Sequence, residues 1–194
     1  MSQTLSPPAR PRLVILDRDG VINQDSAQFV KSAEEWVALP GSLEAIARIN
    51  RAGFKVVIAT NQSGLGRGLF NMAALNAMHH KLRTELAAVG GQLDGIFICP
   101  HLPDEGCECR KPLPGLFNAI AQRFEVDLTD VIAVGDSRRD LDAAAAVGCQ
   151  PCLVLTGNGR KTLEKGDLPA RTTVWENLMA VAVALEAAVI PEEA

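Results

Sequence analysis

The sequence predicts an α/β fold: one doubly wound parallel sheet with helices on both faces. Three observations point there. Short apolar runs rich in Val and Ile recur along the chain, with no polar alternation, as in strands buried on both faces. Segments with apolar residues at helical spacing lie between them. Turn residues, mainly Gly, Pro and Asn, separate the two kinds of segment. A parallel pair needs a crossover, and a helix is the usual one, so strict alternation argues for a single sheet.

RLVILD (Arg12 to Asp17) reads as the first strand. Pro40-Gly41-Ser42 opens a helix with Leu43, Ile46, Ala47 and Asn50 on related turns, and Gly53 ends it. FKVVIAT (Phe54 to Thr60) is the second strand. Asn71 is placed to cap a long helix carrying Leu75, Met78, Leu82 and Leu86, which Gly90-Gly91 stops. GIFIC (Gly95 to Cys99) is the third strand, and a helix covers Gly115 to Arg123. DVIAVGD (Asp130 to Asp136) is the fourth strand, followed by an Ala-rich helix from Arg139 to Val147. CLVLT (Cys152 to Thr156) is the fifth, and Trp175 to Val189 forms a last amphipathic helix.

The chain has 194 residues, 47% of them hydrophobic, enough for one compact domain, expected over 12–190. Residues 1–11 hold three prolines and read as a flexible leader. No segment has the apolar core of a signal peptide or the length of a membrane span, so a cytoplasmic protein is expected. The net charge of −4 gives no global attraction for nucleic acid or anionic membrane, and with no Tyr and two Trp there is no base-stacking platform. No heptad or long apolar stripe appears, which points to a monomer.

Ligands of such sheets bind beyond the carboxyl ends of the strands, so the polar residues there carry the function. The first strand ends in Asp17-Arg18-Asp19-Gly20. Two close carboxylates call for a divalent cation, although Asp-Gly alone is also an ordinary turn. The second ends in Thr60-Asn61-Gln62-Ser63-Gly64, a hydroxyl and backbone N–H groups suited to phosphate oxygens, or simply a capped loop. Past the third comes Arg110-Lys111-Pro112, two cations that alone would read as surface. The fourth ends in Gly135-Asp136-Ser137, with Asp140 one turn on: a metal-binding carboxylate or a helix N-cap.

Between the third strand and those cations, Cys99, His101, Cys107 and Cys109 form C-x-H-x₅-C-x-C. Three thiolates and one imidazole suit a closed tetrahedral zinc site, hence a structural zinc that staples the loop and positions Arg110 and Lys111. Cys149 and Cys152 read as small core residues, and His79 and His80 as surface or packing residues of the long helix.

With these motifs, LDRDGVIN (Leu16 to Asn23), ATNQSGLGRG (Ala59 to Gly68), CRKPLPG (Cys109 to Gly115) and VGDSRRD (Val134 to Asp140), the chain resembles the haloacid dehalogenase superfamily of phosphatases from Leu13 onward. The resemblance implies a Rossmann-like fold and a magnesium-dependent phosphatase. Asp17 would be the nucleophile that forms an aspartyl-phosphate, and Asp19 the general acid and base. Thr60 and Lys111 would hold the phosphoryl oxygens. Asp17, the Asp19 carbonyl and Asp136 would bind magnesium. Arg18, Asp25, Gln28, Asn61, Gln62, Ser63, Arg67 and Arg110 would contact substrate, with Arg67 either binding a second phosphate or a sugar hydroxyl or standing as a surface arginine. The expected substrate is a heptose bisphosphate cleaved at its 7-phosphate, for the lipopolysaccharide core; histidinol phosphate is the alternative. A phospho-accepting receiver domain would share the carboxylates and magnesium but carries no Cys-His loop. The intervals between motifs leave no room for a cap domain, so the site should be open, bordered by Asp25 to Lys31, Gly64 to Gly68 and the zinc loop.

Overall fold

A computed structural model describes residues 12–189; the expected leader lies outside the described residues. The elements run β1 (Leu13–Leu16), α1 (Ser42–Arg51), β2 (Lys55–Asn61), α2 (Ser63–Gly66), α3 (Met72–Ala88), β3 (Gly95–Cys99) and α4 (Gly115–Phe124). They continue with β4 (Ile132–Gly135), α5 (Arg138–Ala146), β5 (Gln150–Val154), α6 (Gly159–Lys165), β6 (Thr173–Trp175) and α7 (Leu178–Val189). The six strands form one sheet in the order β3-β2-β1-β4-β5-β6, every pair parallel.

Successive strand residues face opposite sides, so a strand buried on both faces feeds two cores. Val14 and Leu16 of β1, with Val56 and Ile58 of β2, join the core under α1, α3 and α7, whose Ile46, Leu75, Met78 and Val181 fill it. Leu13 and Ile15, with Val57 and Ala59, face the other way and pack on Leu116, Phe117, Ile120, Ala143 and Ala144 of α4 and α5. The strand order reverses at β1 and β4, where a doubly wound sheet opens its ligand crevice. No inserted cap domain stands over that crevice among the described residues.

The expected elements are present with shifted ends. Asn71 caps α3 as its spacing suggests, its side chain accepting from the Ala74 N–H at 2.9 Å. β5 begins at Gln150, two residues before the expected start. The last helix starts at Leu178 and not at Trp175, because the Asn177 side chain caps it by accepting from the Ala180 N–H. Thr173–Trp175 instead forms β6, an edge strand too short to show a period in the sequence. The short α2 falls where a loop was expected, and the sequence offered no element at α6, which carries one large apolar residue, Leu163, and so has no stripe to read. Cys149 and Cys152 are buried in the core, and His79 is half-buried on α3. No described helix is long and apolar enough to cross a membrane.

Candidate active site

Parallel pairing fixes the centre of the site. β1 pairs with β4 in the register Leu16↔Val134, and the Asp17 N–H continues the ladder to the Val134 carbonyl at 2.9 Å. Asp17 and Asp136 therefore leave neighbouring strands at the same edge. Together with Asp140 they offer carboxylate oxygens within 4.8 Å of one another. Asp136 is fully buried; its Oδ2 accepts from the backbone N–H of Asn158 at 2.7 Å and from the Asn158 side chain at 3.2 Å. Its Oδ1 is buried with no partner. Burial, then the charges of Asp17 and Asp140, push the Asp136 carboxyl up to about 7. Burial likewise pushes Asp17 up to about 6; Lys111 works against it, while Asp140 and Asp19 add to the rise. An orphaned carboxylate oxygen beside a second strained carboxylate is what a hard divalent cation satisfies, so Asp17 and Asp136 fit magnesium.

Gly20 and Gly157 make this proximity possible. Both have positive φ, +83° and +54°, and a Cβ on either would stand within 2.2 Å of the Asp136 Oδ2. Thr156 fastens the same corner by donating its hydroxyl to the Gly20 carbonyl at 2.7 Å.

Lys111 reaches this centre from the loop after β3. Its ammonium, 2% exposed, donates to the Ala59 carbonyl at 2.7 Å and forms ion pairs with Asp17 Oδ1 at 2.9 Å and Asp140 Oδ1 at 2.7 Å. Burial opposes its charge, but Asp140 and Asp17 outweigh that and raise its pKa. Asn61 splints the Lys111 backbone from both sides, donating to its carbonyl at 3.0 Å and accepting from its N–H at 3.1 Å. Asp140 has two functions: it pairs with Lys111, and its Oδ2 accepts from the Ser137 backbone in the capping box that starts α5. Ser137, not Asp136, is the N-cap.

Asp19 is held by three partners. Arg18 grips it with two nitrogens at 2.8–3.1 Å, Asn23 donates at 2.9 Å and Gln62 at 2.9 Å. Burial works to raise its pKa, but the Arg18 charge and these hydrogen bonds prevail and hold it below the usual carboxylate range. Gln62 also donates to the Thr60 hydroxyl at 2.9 Å, tying the ends of β1 and β2 together.

A cavity of about 190 Å³ lies over these groups. Asp17, Arg18, Asp19, Asp25, Thr60, Asn61, Gln62, Ser63 and Arg110 line it, as expected. Two expected contacts do not: the Gln28 side chain is exposed outside it, and Arg67 sits over the Phe29 ring, 6.0 Å from its centroid. Arg18 is 1% exposed; its Nε and Nη2 bind Asp19 and so position that carboxylate, while its Nη1 is buried without a partner. Of the expected border, residues 25–31 contribute, but Gly64 to Gly68 do not; they form α2 and its C-terminus. Sequence reading named the 25–31 loop without singling out Ser26, Phe29 or Val30, and missed Asn23, Asn158 and Arg139 as site residues. Asn158 was findable, since it lies just beyond the end of β5 where the rule of strand ends points. Phe29, at φ +63°, carries no such signal.

The Cys-His loop folds on itself beside the cavity. Cys99 Sγ lies 3.6 Å from His101 Nδ1 and 3.7 Å from Cys107 Sγ, and His101 Nδ1 lies 3.3 Å from Cys109 Sγ. A tetrahedron with zinc–ligand bonds of about 2.0–2.3 Å has edges of roughly 3.3–3.8 Å, so the four ligands fit zinc with no open position. Arg110 follows at once and donates to the His101 carbonyl at 3.2 Å, which ties the cation to the loop.

The family model described as "HAD-hyrolase-like" matches residues 108–181. The D-glycero-β-D-manno-heptose-1,7-bisphosphate 7-phosphatase of Bordetella bronchiseptica is 64% identical over 171 residues, covering 88% of this chain and 96% of that protein. The enzyme of that name from Pseudomonas putida is 54% identical, covering 88% and 97%. Among solved structures, D,D-heptose 1,7-bisphosphate phosphatase from B. bronchiseptica, complexed with magnesium and phosphate, matches with a TM-score of 0.90 and 63% identity, covering 91% of this chain and 99% of that one. The chain belongs to the D-glycero-D-manno-heptose-1,7-bisphosphate 7-phosphatase family of haloacid-dehalogenase-like hydrolases.

Proposed function

We propose that this protein hydrolyses the 7-phosphate of D-glycero-β-D-manno-heptose 1,7-bisphosphate through a phosphorylated Asp17. One observation carries the reading: a buried carboxylate just past the end of β1, Asp17, lies beside an ammonium, Lys111, and a second carboxylate, Asp136, that has an unpartnered oxygen. The names of relatives at 48–64% identity supply the substrate.

Lys111 holds one oxygen of Asp17, and the other attacks phosphorus in line with the leaving sugar oxygen. The phosphoryl group passes to Asp17, and Asp19 gives its proton to the departing oxygen. Asp19 then takes a proton from the water that cleaves the acyl phosphate, which restores Asp17. Arg18, Asn23 and Gln62 keep Asp19 aimed and ionised for this second half. The charge of the arriving phosphate raises its pKa for the first. Thr60 and Lys111, at the ends of β2 and the zinc loop, take the equatorial oxygens; Lys111 exchanges one present acceptor for phosphate. Asp17, Asp136 and the Asp19 carbonyl would hold magnesium, which would supply positive charge to offset the repulsion between Asp17 and the phosphate dianion. Cys99, His101, Cys107 and Cys109 would hold zinc, and the loop they close anchors Arg110, through its bond to the His101 carbonyl, for substrate. On the resemblance already noted in the sequence, the product serves heptose supply for the lipopolysaccharide core. The enzyme works as a cytoplasmic monomer, which a sizing column checks.

Phosphate release with magnesium from heptose 1,7-bisphosphate, fructose 1,6-bisphosphate and histidinol phosphate tests the reading. The heptose compound should give the highest kcat/KM. Faster release from histidinol phosphate would overturn it.

A further inference from the structure

The Asp17 cavity is too small for the whole substrate. Its volume of about 190 Å³ falls short of the roughly 300 Å³ at which small-molecule pockets begin, so a sugar carrying two phosphates must extend beyond it. Three directions are open to view. Beside the zinc loop lies a cavity of about 180 Å³, lined by Leu102, Pro103, Gly106 and Cys107 with Arg110 and Lys111. It is no larger than the first, and Lys111 is already committed to Asp17 and Asp140. The groove of about 390 Å³ along Phe54, Val126 and Leu185 is mostly apolar and shares no lining residue with the Asp17 cavity. The third cavity, about 610 Å³, shares Asp25 and Arg139 with the Asp17 cavity and is lined further by Arg138, Lys161 and Lys165.

Among the cations of that annex, Arg138 is bound to Asp142 and Asp167. Among the described residues Arg139 has no ion-pair or hydrogen-bond partner, although it lies in the field of Asp140, Asp17, Asp136 and Asp25. Its place follows from the fold. Ser137 caps α5 and Asp140 closes the capping box, so the first turn is fixed and Arg139 projects from it at the mouth, exposed. A guanidinium held over the border of two cavities, with all its donors free, matches a phosphate bidentately.

We propose that Arg139 binds the phosphate that is not cleaved, at the entrance to the cavity beside Lys161, and so sets the preference for bisphosphates over monophosphates. The inference rests on the sugar-bisphosphate reading above. Arg139 gives orientation and affinity for the remote end of the substrate; it moves no proton and touches no reacting atom. Its loss should therefore appear mainly in KM, as removal of binding common to ground and transition states.

The test is the selectivity ratio, kcat/KM for heptose 1,7-bisphosphate divided by kcat/KM for heptose 7-phosphate, in wild type, Arg139→Ala and Arg139→Lys. Loss of a charge-assisted phosphate contact should lower the ratio by about 10–100-fold in Arg139→Ala, with partial recovery in Arg139→Lys. An unchanged ratio in Arg139→Ala, or an equal loss on both substrates, overturns the inference while leaving the bisphosphate reading intact. A wild-type ratio near one removes the bisphosphate reading itself, and the inference with it.

Discussion

Replacing Asp136 by Asn should stabilise the magnesium-free protein while abolishing activity. The carboxyl is fully buried, one of its oxygens has no partner, and its neighbours Asp17 and Asp140 repel it. Its pKa in the folded state, about 7, stands well above its ordinary 3.8. A folded-state pKa above the unfolded one means the folded protein holds the proton more tightly. Stability from this group is complete below pH 4 and is lost as pH rises through about 7. The difference corresponds to about 4 kcal/mol at 1.4 kcal/mol per tenfold. Asn keeps the acceptor for the Asn158 N–H and adds an amide that can donate to Asp17, so the variant escapes the penalty. Urea unfolding in magnesium-free buffer at pH 8 should show Asp136→Asn more stable by up to about 4 kcal/mol, roughly a 10 °C rise in Tm for a chain of this size. At pH 4 the two proteins should coincide. Added magnesium should stabilise the wild type by mass action and leave the variant unmoved. A variant no more stable than wild type at pH 8, or one that magnesium stabilises equally, refutes the reasoning.

Other perturbations separate the parts of the site. Lys111→Met leaves Asp17 and Asp140 buried without their shared cation and should cost about 3 kcal/mol in stability and about 10²–10³ in kcat, read by unfolding and steady-state kinetics. Cys107→Ser opens the tetrahedral set and should lower zinc content from one per chain, lower Tm, and weaken catalysis through Arg110 and Lys111; full activity and unchanged Tm in a zinc-free variant would contradict the structural role. Gly157→Ala puts a methyl 2.2 Å from the Asp136 Oδ2 at φ +54° and should weaken magnesium binding at least tenfold, measured by the metal dependence of kcat/KM.

The sheet was legible because its strands are buried on both faces: runs such as VVIAT cannot be mistaken for amphipathic helices, and their polar ends mark one edge. That rule assembled Asp17, Thr60, Lys111 and Asp136 from four separate segments. The Cys-His loop was legible for another reason, its dense ligand spacing. What escaped depends on tertiary packing. β6 is three residues long and owes its pairing to β5, so its local sequence has no period. The 25–31 loop was read as a border, but nothing in it announces that Phe29 would turn back through a positive φ to line the cavity, or that Gln28 would be exposed outside it. Arg18 and Asn61 line the cavity as expected, but their side chains also hold Asp19 and the Lys111 backbone, a second role set by side-chain direction and invisible to spacing. Arg139 was hidden because helix α5 reads as an Ala-rich packing helix, and only the capping box shows which way its first turn faces.

The central claim is that phosphate rests covalently on Asp17 during turnover. The most direct measurement is rapid acid quench of the enzyme turning over heptose bisphosphate with magnesium, followed by proteolysis and mass spectrometry. The account predicts a phosphate mass increment on the peptide bearing Asp17, which chases away with time and is absent from Asp17→Asn. Turnover at an undiminished rate by Asp17→Asn, or a phosphorylated side chain elsewhere, would contradict it.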